Sequence, residues 1–247
     1  MRIAAVSDIH GNLPALEAVV KDIRRRGADL IVNLGDSLSG PLLPLETAQY
    51  LMAQDWPQLA GNHERQILDE GARTAADEFA FRQLGAGEIA WIASLRDRMA
   101  LSAEVLLCHG TPTSDCDYLL ETVERSGVRL ASTEEISARL GGTKSRVLLC
   151  GHTHFPRSAR AQGMLIVNPG SVGLPAFDDD YCHPHVIETG SPDARYALLE
   201  EVAGAWSAEL ITVPYPYRQM AELARSRGMK DWAYSLDSGY ARIDQRY

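Results

Sequence analysis

Five times in this chain an apolar run breaks off into a short cluster of Asp, Asn, His and Gly, and that repetition limits the folds open to it. The clusters are Asp8-Ile9-His10, Gly35-Asp36, Gly61-Asn62-His63-Glu64, Cys108-His109-Gly110 and Gly151-His152-Thr153-His154. Each follows a run such as Ile3-Ala4-Ala5-Val6 or Val147-Leu148-Leu149, short enough for a buried strand. Five of the seven histidines lie in these clusters. In an extended segment residues i and i+2 face the same way, so His152 and His154 can aim both rings into one space. Singly, each cluster also reads as a turn or a helix start. At the ends of successive strands they converge on one polar site.

Helical stripes separate the strands. Asn12 is placed to cap a helix with Pro14 in its first turn, Leu16, Val19, Val20 and Ile23 repeat at helical spacing, and Gly27 ends it. Asp29 to Leu34 then completes a βαβ unit. Leu45, Ala48, Leu51 and Met52 carry a second stripe, and Gln58-Leu59-Ala60 a short third strand. Residues 64–98 read as helical, broken near Gly71 and Gly85, with Trp91 and Ile92 on a core face. The near-copies Glu104-Val-Leu-Leu-Cys108 and Arg146-Val-Leu-Leu-Cys150 read as central strands. Between them Ser132-Thr133-Glu134-Glu135 is a capping box that opens a helix stopped by Gly141-Gly142. Met164 to Val167 is a further strand, residues 196–213 a hairpin around Gly204, and Arg218 to Arg227 the last helix.

Strands alternating with helices predict an α/β fold with sheets covered on both faces and a ligand site at the strands' carboxyl ends. With no repeat or low-complexity linker, the expectation is a single domain over 1–247. Its core spans about 1–175, helical rim segments about 64–98 and 115–140, and a C-terminal hairpin and helix about 195–228.

Charge and cysteine content exclude several functions. The formal charge is −9, and the longest cationic run, Arg24-Arg25-Arg26, reads as a solvated helix end. Such a chain is poorly suited to gripping long nucleic acid through its phosphates. No run of about 18 apolar residues offers a membrane span, and Asp8 comes too early for a signal peptide, so a cytoplasmic protein is expected. The four cysteines show no CxxC spacing, against a zinc ribbon or thioredoxin-like site. Cys108 and Cys150 read as small buried residues at strand ends. His183-Pro184-His185 repeats the HxH spacing and is expected in a surface loop away from the site.

Apart from Glu64 at a helix start, the clusters offer two carboxylates, one amide oxygen and five imidazoles, a mixture that suits Mn²⁺, Fe²⁺, Zn²⁺ or Co²⁺. That is too many donors for one ion and about right for two sharing a carboxylate. The ordered set DxH, GD, GNHE, HG and GHTH resembles the calcineurin-like metallophosphoesterase superfamily over about residues 1–175. The loop Asn168-Pro169-Gly170-Ser171-Val172-Gly173 resembles its small prokaryotic phosphodiesterase-like branch. The resemblance implies a four-layer αββα fold, two stacked mixed sheets flanked by helices with a binuclear metal site at the strand ends. It implies Asp8, His10, Asp36 and His154 around one metal and Asp36, Asn62, His109 and His152 around the other, with Asp36 bridging. His63 matches the family's general acid. The implied cofactors are two divalent transition-metal ions, Mn²⁺ foremost, with Fe, Zn, Ni or Co as alternatives. Held about 3.5–4 Å apart, they would activate a bridging hydroxide for attack on phosphorus.

The implied activity is a phosphodiesterase on small or nucleotide-like substrates. The alternatives are a phosphomonoesterase or protein phosphatase with the same metals, or an inactive scaffold of the same fold. Two departures speak against phosphoproteins. Ala60 stands before Gly61 where the Ser/Thr phosphatases carry arginine, and Gly35-Asp36 runs into Ser37-Leu38-Ser39-Gly40-Pro41 where they carry a DRG run. The segment 175–191 is also longer than the small branch needs.

Overall fold

A computed structural model describes residues 1–242. β1 (Arg2–Val6) and β2 (Leu30–Asn33) pair in parallel across α1 (Leu13–Arg26). That helix starts and stops where its sequence signals lie: Asn12 accepts from the Ala15 amide, and Gly27 closes it in the left-handed region. Four helices and one strand follow: α2 (Pro44–Met52), α3 (Asn62–Leu68), α4 (Ala75–Gln83), α5 (Ala86–Ser94) and β3 (Arg98–Ala100). Then come β4 (Val105–Cys108), the hairpin β5 (Glu121–Glu124) and β6 (Gly127–Leu130), α6 (Thr133–Arg139) and β7 (Val147–Leu149). β8 (Arg157–Ala161), β9 (Met164–Asn168), the hairpin β10 (Ala176–Asp179) and β11 (His185–Glu188), and the long hairpin β12 (Ala194–Val202) and β13 (Ala205–Val213) lead to α7 (Tyr217–Ser226) and α8 (Lys230–Ser238).

Two mixed sheets result, in the orders β13-β12-β1-β2 and β3-β4-β7-β9-β8. The near-copies EVLLC and RVLLC are parallel neighbours in register, Val105 beside Val147 and Leu107 beside Leu149. Strand alternation explains the stacking. Ile3, Ala5, Val105, Leu107, Val147 and Leu149 point into a core shared by the two sheets. Ala4 and Val6 face outward onto Leu16 and Val19 of α1 and Ala221 and Leu236 of the last helices. On the other side Leu148 and Ile166 pack on Ile136 and Leu140. The architecture is the αββα sandwich expected from the sequence. Among the described residues no helix is long and apolar enough to cross a membrane.

Several boundaries differ from expectation. Residues 64–98 form three short helices, and their last residues enter a strand. Gln58 to Ala60 makes only isolated parallel bridges, to Asn33 and from Leu59 to Arg96. The rim segment 115–140, expected to be helical, is mainly the hairpin β5–β6. Val123 and Val128 pair there on either side of a turn at Arg125-Ser126, and only Thr133–Arg139 is helical. The chain beyond 175 completes the first sheet, because β12 lies between β1 and β13. A further helix, α8, follows the one expected to be last; it buries Ala233, Ser235 and Leu236 and ends at Gly239 in the left-handed region.

Leu107→Ala, at a fully buried position between the sheets, should lower stability by about 2–5 kcal/mol. Arg146→Ala removes a largely solvated ion pair to Glu104 at 2.9 Å and should cost less than about 1 kcal/mol. Urea denaturation of both variants checks the contrast, and equal losses would contradict a core centred between the sheets.

Candidate metal centre

The five clusters meet at one end of the stacked sheets, just beyond the carboxyl ends of β1, β2, β4 and β7 and at the start of α3. Non-glycine residues rarely take positive φ, because Cβ then crowds the backbone. Asp8, His10, Asp36, His152 and His154 all do so, at φ between 52° and 68°. This turn lets each short loop aim a side chain back across the strand ends. Glycines fill the places where loops touch. A Cβ on Gly61 would run into the Asp36 carboxylate and His109, and one on Gly173 into the Ile9 carbonyl.

Two groups of donors form. Asp8, His10 and His154 present ligand atoms within 4.8 Å of one another, and so do Asp36, His109 and His152. In the first group His10 Nε2 lies 3.1 Å from His154 Nε2, which is 3.4 Å from Asp8 Oδ1. In the second, His109 Nε2 lies 3.0 Å from Asp36 Oδ2 and 3.2 Å from Asn62 Oδ1. His109 Nε2 also comes within 4.0 Å of Asp8 Oδ1, so the groups adjoin. His63 lines the same space but points its Nδ1 to Asp77, at 2.8 Å.

Backbone carbonyls select the ring nitrogens that face inward. His10, His109 and His154 donate from Nδ1 to Ser39, Leu34 and Leu174 at 2.7 to 2.9 Å, which turns each Nε2 inward. His152 is reversed: its Nε2 donates to the Cys116 carbonyl at 2.9 Å, leaving Nδ1 for the site. Fixing the tautomer through the outer nitrogen is how metal-binding imidazoles are oriented. Asp8 Oδ1 is fully buried without a hydrogen-bond partner, a costly arrangement for a carboxylate unless a cation meets it. The donor set therefore fits divalent metal ions.

Charge inside the site is strongly coupled. Burial and the neighbouring His154 and His63 push His10 down to about 3, and burial and His109 push His152 down to about 4. Burial would raise the Asp36 carboxyl, but His109 and His63 outweigh it and hold it well below the usual range. Burial would lower His63, yet Asp36 and the Asp77 hydrogen bond lift it to about 9.

Two further carboxylates support the site. Glu64, fully buried, accepts from the amides of Asp36, Ser37 and Gly61, each at 2.8 Å, and so clamps the Asp36 loop to the start of α3. The sequence marks it only as the last letter of GNHE. Asp77 accepts from Thr74 through one oxygen and from His63 through the other. Its sequence signal, Thr74-Ala-Ala-Asp77, looks like any capping box. The loop 168–173 ties two clusters together: Asn168 donates to the Gly151 carbonyl and Ser171 to that of Asp8, both at 2.7 Å.

His185, expected in a surface loop, is 7% exposed in β11 and accepts from the Tyr118 hydroxyl at 2.9 Å. The Tyr118 ring stands edge-on to His152 at 5.2 Å. His185 thus lies one residue removed from the site, because the hairpin β10–β11 folds back over it. The site opens into a cavity of about 680 Å³, walled partly by Phe177 and Asp178 of β10 and by Asp231 and Trp232 of α8. No local pattern in the sequence marks that wall.

A buried cluster of Asp, Asn and His at the ends of strands between two stacked sheets defines a metallohydrolase. The Calcineurin-like phosphoesterase superfamily domain matches residues 1–189, and the chain belongs to that superfamily of phosphoric ester hydrolases. Phosphodiesterase YfcE of Escherichia coli is 27% identical over 179 residues, 71% of this chain and 81% of its own. Uncharacterized protein MJ0912 of Methanocaldococcus jannaschii is 24% identical over 93% of this chain and 94% of its own. A metallophosphoesterase from Sphaerobacter thermophilus has the same fold, at a TM-score of 0.76 and 24% identity over 97% of this chain and all of that one.

Glu64→Gln would keep the shape of the clamp and set an NH₂ group against a backbone amide. It should lower stability by about 1–3 kcal/mol and weaken metal binding without touching a ligand. Urea titration and calorimetric metal titration check this; unchanged metal affinity would contradict the clamp.

Proposed function

We propose that the chain is a binuclear metal-dependent phosphodiesterase acting on small phosphodiesters. Asp8, His10, Asp36 and His154 would hold one divalent ion, and Asp36, Asn62, His109 and His152 the second, with Asp36 shared. The two adjoining donor groups carry this reading. Bound divalent ions supply the positive charge that activates water and offsets charge building on phosphoryl oxygens. Imidazole-rich donor sets suit Mn²⁺, Fe²⁺ or Zn²⁺ better than Mg²⁺.

The chain's own residues do the rest. Carbonyls on His10, His109, His152 and His154 fix each ring with its other nitrogen turned toward the site. His63 keeps Nδ1–H on Asp77, which directs Nε2 into the cavity, where a proton can pass to a departing oxygen. Its amide donates to Asp36 Oδ1 at 2.9 Å, which fixes the ring beside the metal groups without making it a ligand. Among the described residues no lysine or arginine lines the cavity. A monoester dianion would find no cation beyond the metals, which favours the singly charged diester. The E. coli relative's name as a phosphodiesterase agrees.

Asp36→Asn should weaken both metal positions, and His10→Ala mainly one. Metal titration distinguishes them, and a matched single-site loss in both would mean that Asp36 does not bridge. Chelation should abolish hydrolysis, with Mn²⁺ restoring more than Mg²⁺.

His63→Ala should keep its metal content and lose about 10²–10⁴ in rate on alkyl or nucleoside diesters. The loss should be far smaller on p-nitrophenyl esters, whose leaving group needs little protonation. Equal slowing on both would rule out proton donation, and a lost metal would make His63 a ligand.

A further inference from the structure

The cavity wall beyond the metal groups repeats one pattern on two unrelated elements. In β10 the Phe177 ring stands edge-on to His154, with centroids 4.7 Å apart, and Asp178 follows it. In α8 the Trp232 ring stands edge-on to His10 at 5.7 Å, and Asp231 precedes it. All four residues line the same cavity, together with Asp179, and Asp178 and Asp231 are exposed at its mouth. Each element thus sets an aromatic ring beside a site histidine and a carboxylate one residue along. Packing holds the indole in place, since a Cβ on Gly40 would collide with it.

Charge selects what this wall accepts. Aromatic faces attract cations, most strongly when partly desolvated, and carboxylates lining a cleft focus the same sign of field. Three carboxylates line the cavity and, among the described residues, no lysine or arginine does, while Lys230 and Arg242 stand with Asp231 and Trp232 in the adjoining pocket. The volume of about 680 Å³ suits a small molecule. The geometry points to a substrate that carries one phosphoryl group, for the metals, and a compact cationic group such as a substituted ammonium, for the wall of Phe177, Asp178, Asp231 and Trp232. This specificity rests on the phosphodiesterase reading for the seat of the phosphoryl group. Much of the wall is α8, beyond the residues matched by the family domain, so the choice of substrate would be this chain's own addition to a shared centre.

The test compares two diesters with the same p-nitrophenyl group, one of choline and one of its uncharged isostere with tert-butyl in place of trimethylammonium. Phosphorus NMR follows total ester consumed by the Mn²⁺-loaded protein, so cleavage at either bond counts. Alongside, calorimetry compares binding of phosphocholine and of the matching isostere phosphate. The choline diester should be consumed with kcat/KM about tenfold higher, and phosphocholine should bind tighter by a similar factor. In Asp178→Asn/Asp231→Asn both ratios should fall toward one. Equal rates and equal binding in the unaltered protein, or the same preference retained in the double variant, would overturn the inference and leave the phosphodiesterase reading intact. If neither ester is consumed while phosphocholine still binds tighter, the hydrolytic reading fails and the cationic wall stands.

Discussion

Five donor-bearing residues stand in left-handed backbone conformations, and the rest of the structure has to keep them there. Each such residue costs of order 1–3 kcal/mol and persists only when its surroundings over-determine it. The surroundings here are specific. Glu64 accepts from the consecutive amides of Asp36 and Ser37, Ser171 binds the Asp8 carbonyl, and Asn168 holds the carbonyl of Gly151 just before His152. Two stacked sheets supply the rigid base, because their core alternates cleanly across β1, β4, β7 and β9. The strain is thus spent at the point where four loops must crowd their side chains into one small volume.

Crowding also sets the chemistry. Two carboxylates and four imidazoles are packed so closely that burial and mutual charge displace nearly every one from its ordinary pKa, two histidines downward and His109 upward to about 10 under the pull of Asp36 and Asp8 against burial. A buried carboxylate oxygen without a hydrogen-bond partner, at Asp8, sits at the junction of the two donor groups. Divalent cations would satisfy that arrangement, and hydrogen-bonded carbonyls turn the inward nitrogens toward it. His63 belongs to the same volume by position and to Asp77 by hydrogen bond, which in the proposed mechanism would separate proton delivery from metal binding.

The legible part of the sequence was the part with short-range causes. Strand runs, helix caps at Asn12 and Ser132 and the stop at Gly27 follow from local propensity and predict an α/β fold, while the αββα layering was implied by the family resemblance that the ordered clusters carry. The donors were legible because each follows directly on an apolar run. Glu64 and Asp77 were not, because their work lies across space, and in sequence both look like ordinary first-turn acids. The hairpin at 121–130 was mistaken for helix because a four-residue strand pair in a polar segment has little periodicity to display. Trp232 reaches the site, and His185 reaches Tyr118 beside it, through folds of the chain whose path depends on tertiary packing alone.

The central claim is that two adjacent donor groups hold two divalent ions at the carboxyl ends of the stacked sheets' strands. Anomalous diffraction from crystals grown with Mn²⁺ tests it most directly. The account predicts two peaks about 3.5–4 Å apart, one among Asp8, His10 and His154 and the other among Asp36, His109 and His152, with Asp36 touching both. A single peak at saturating metal, or ions bound only elsewhere on the chain, would contradict it.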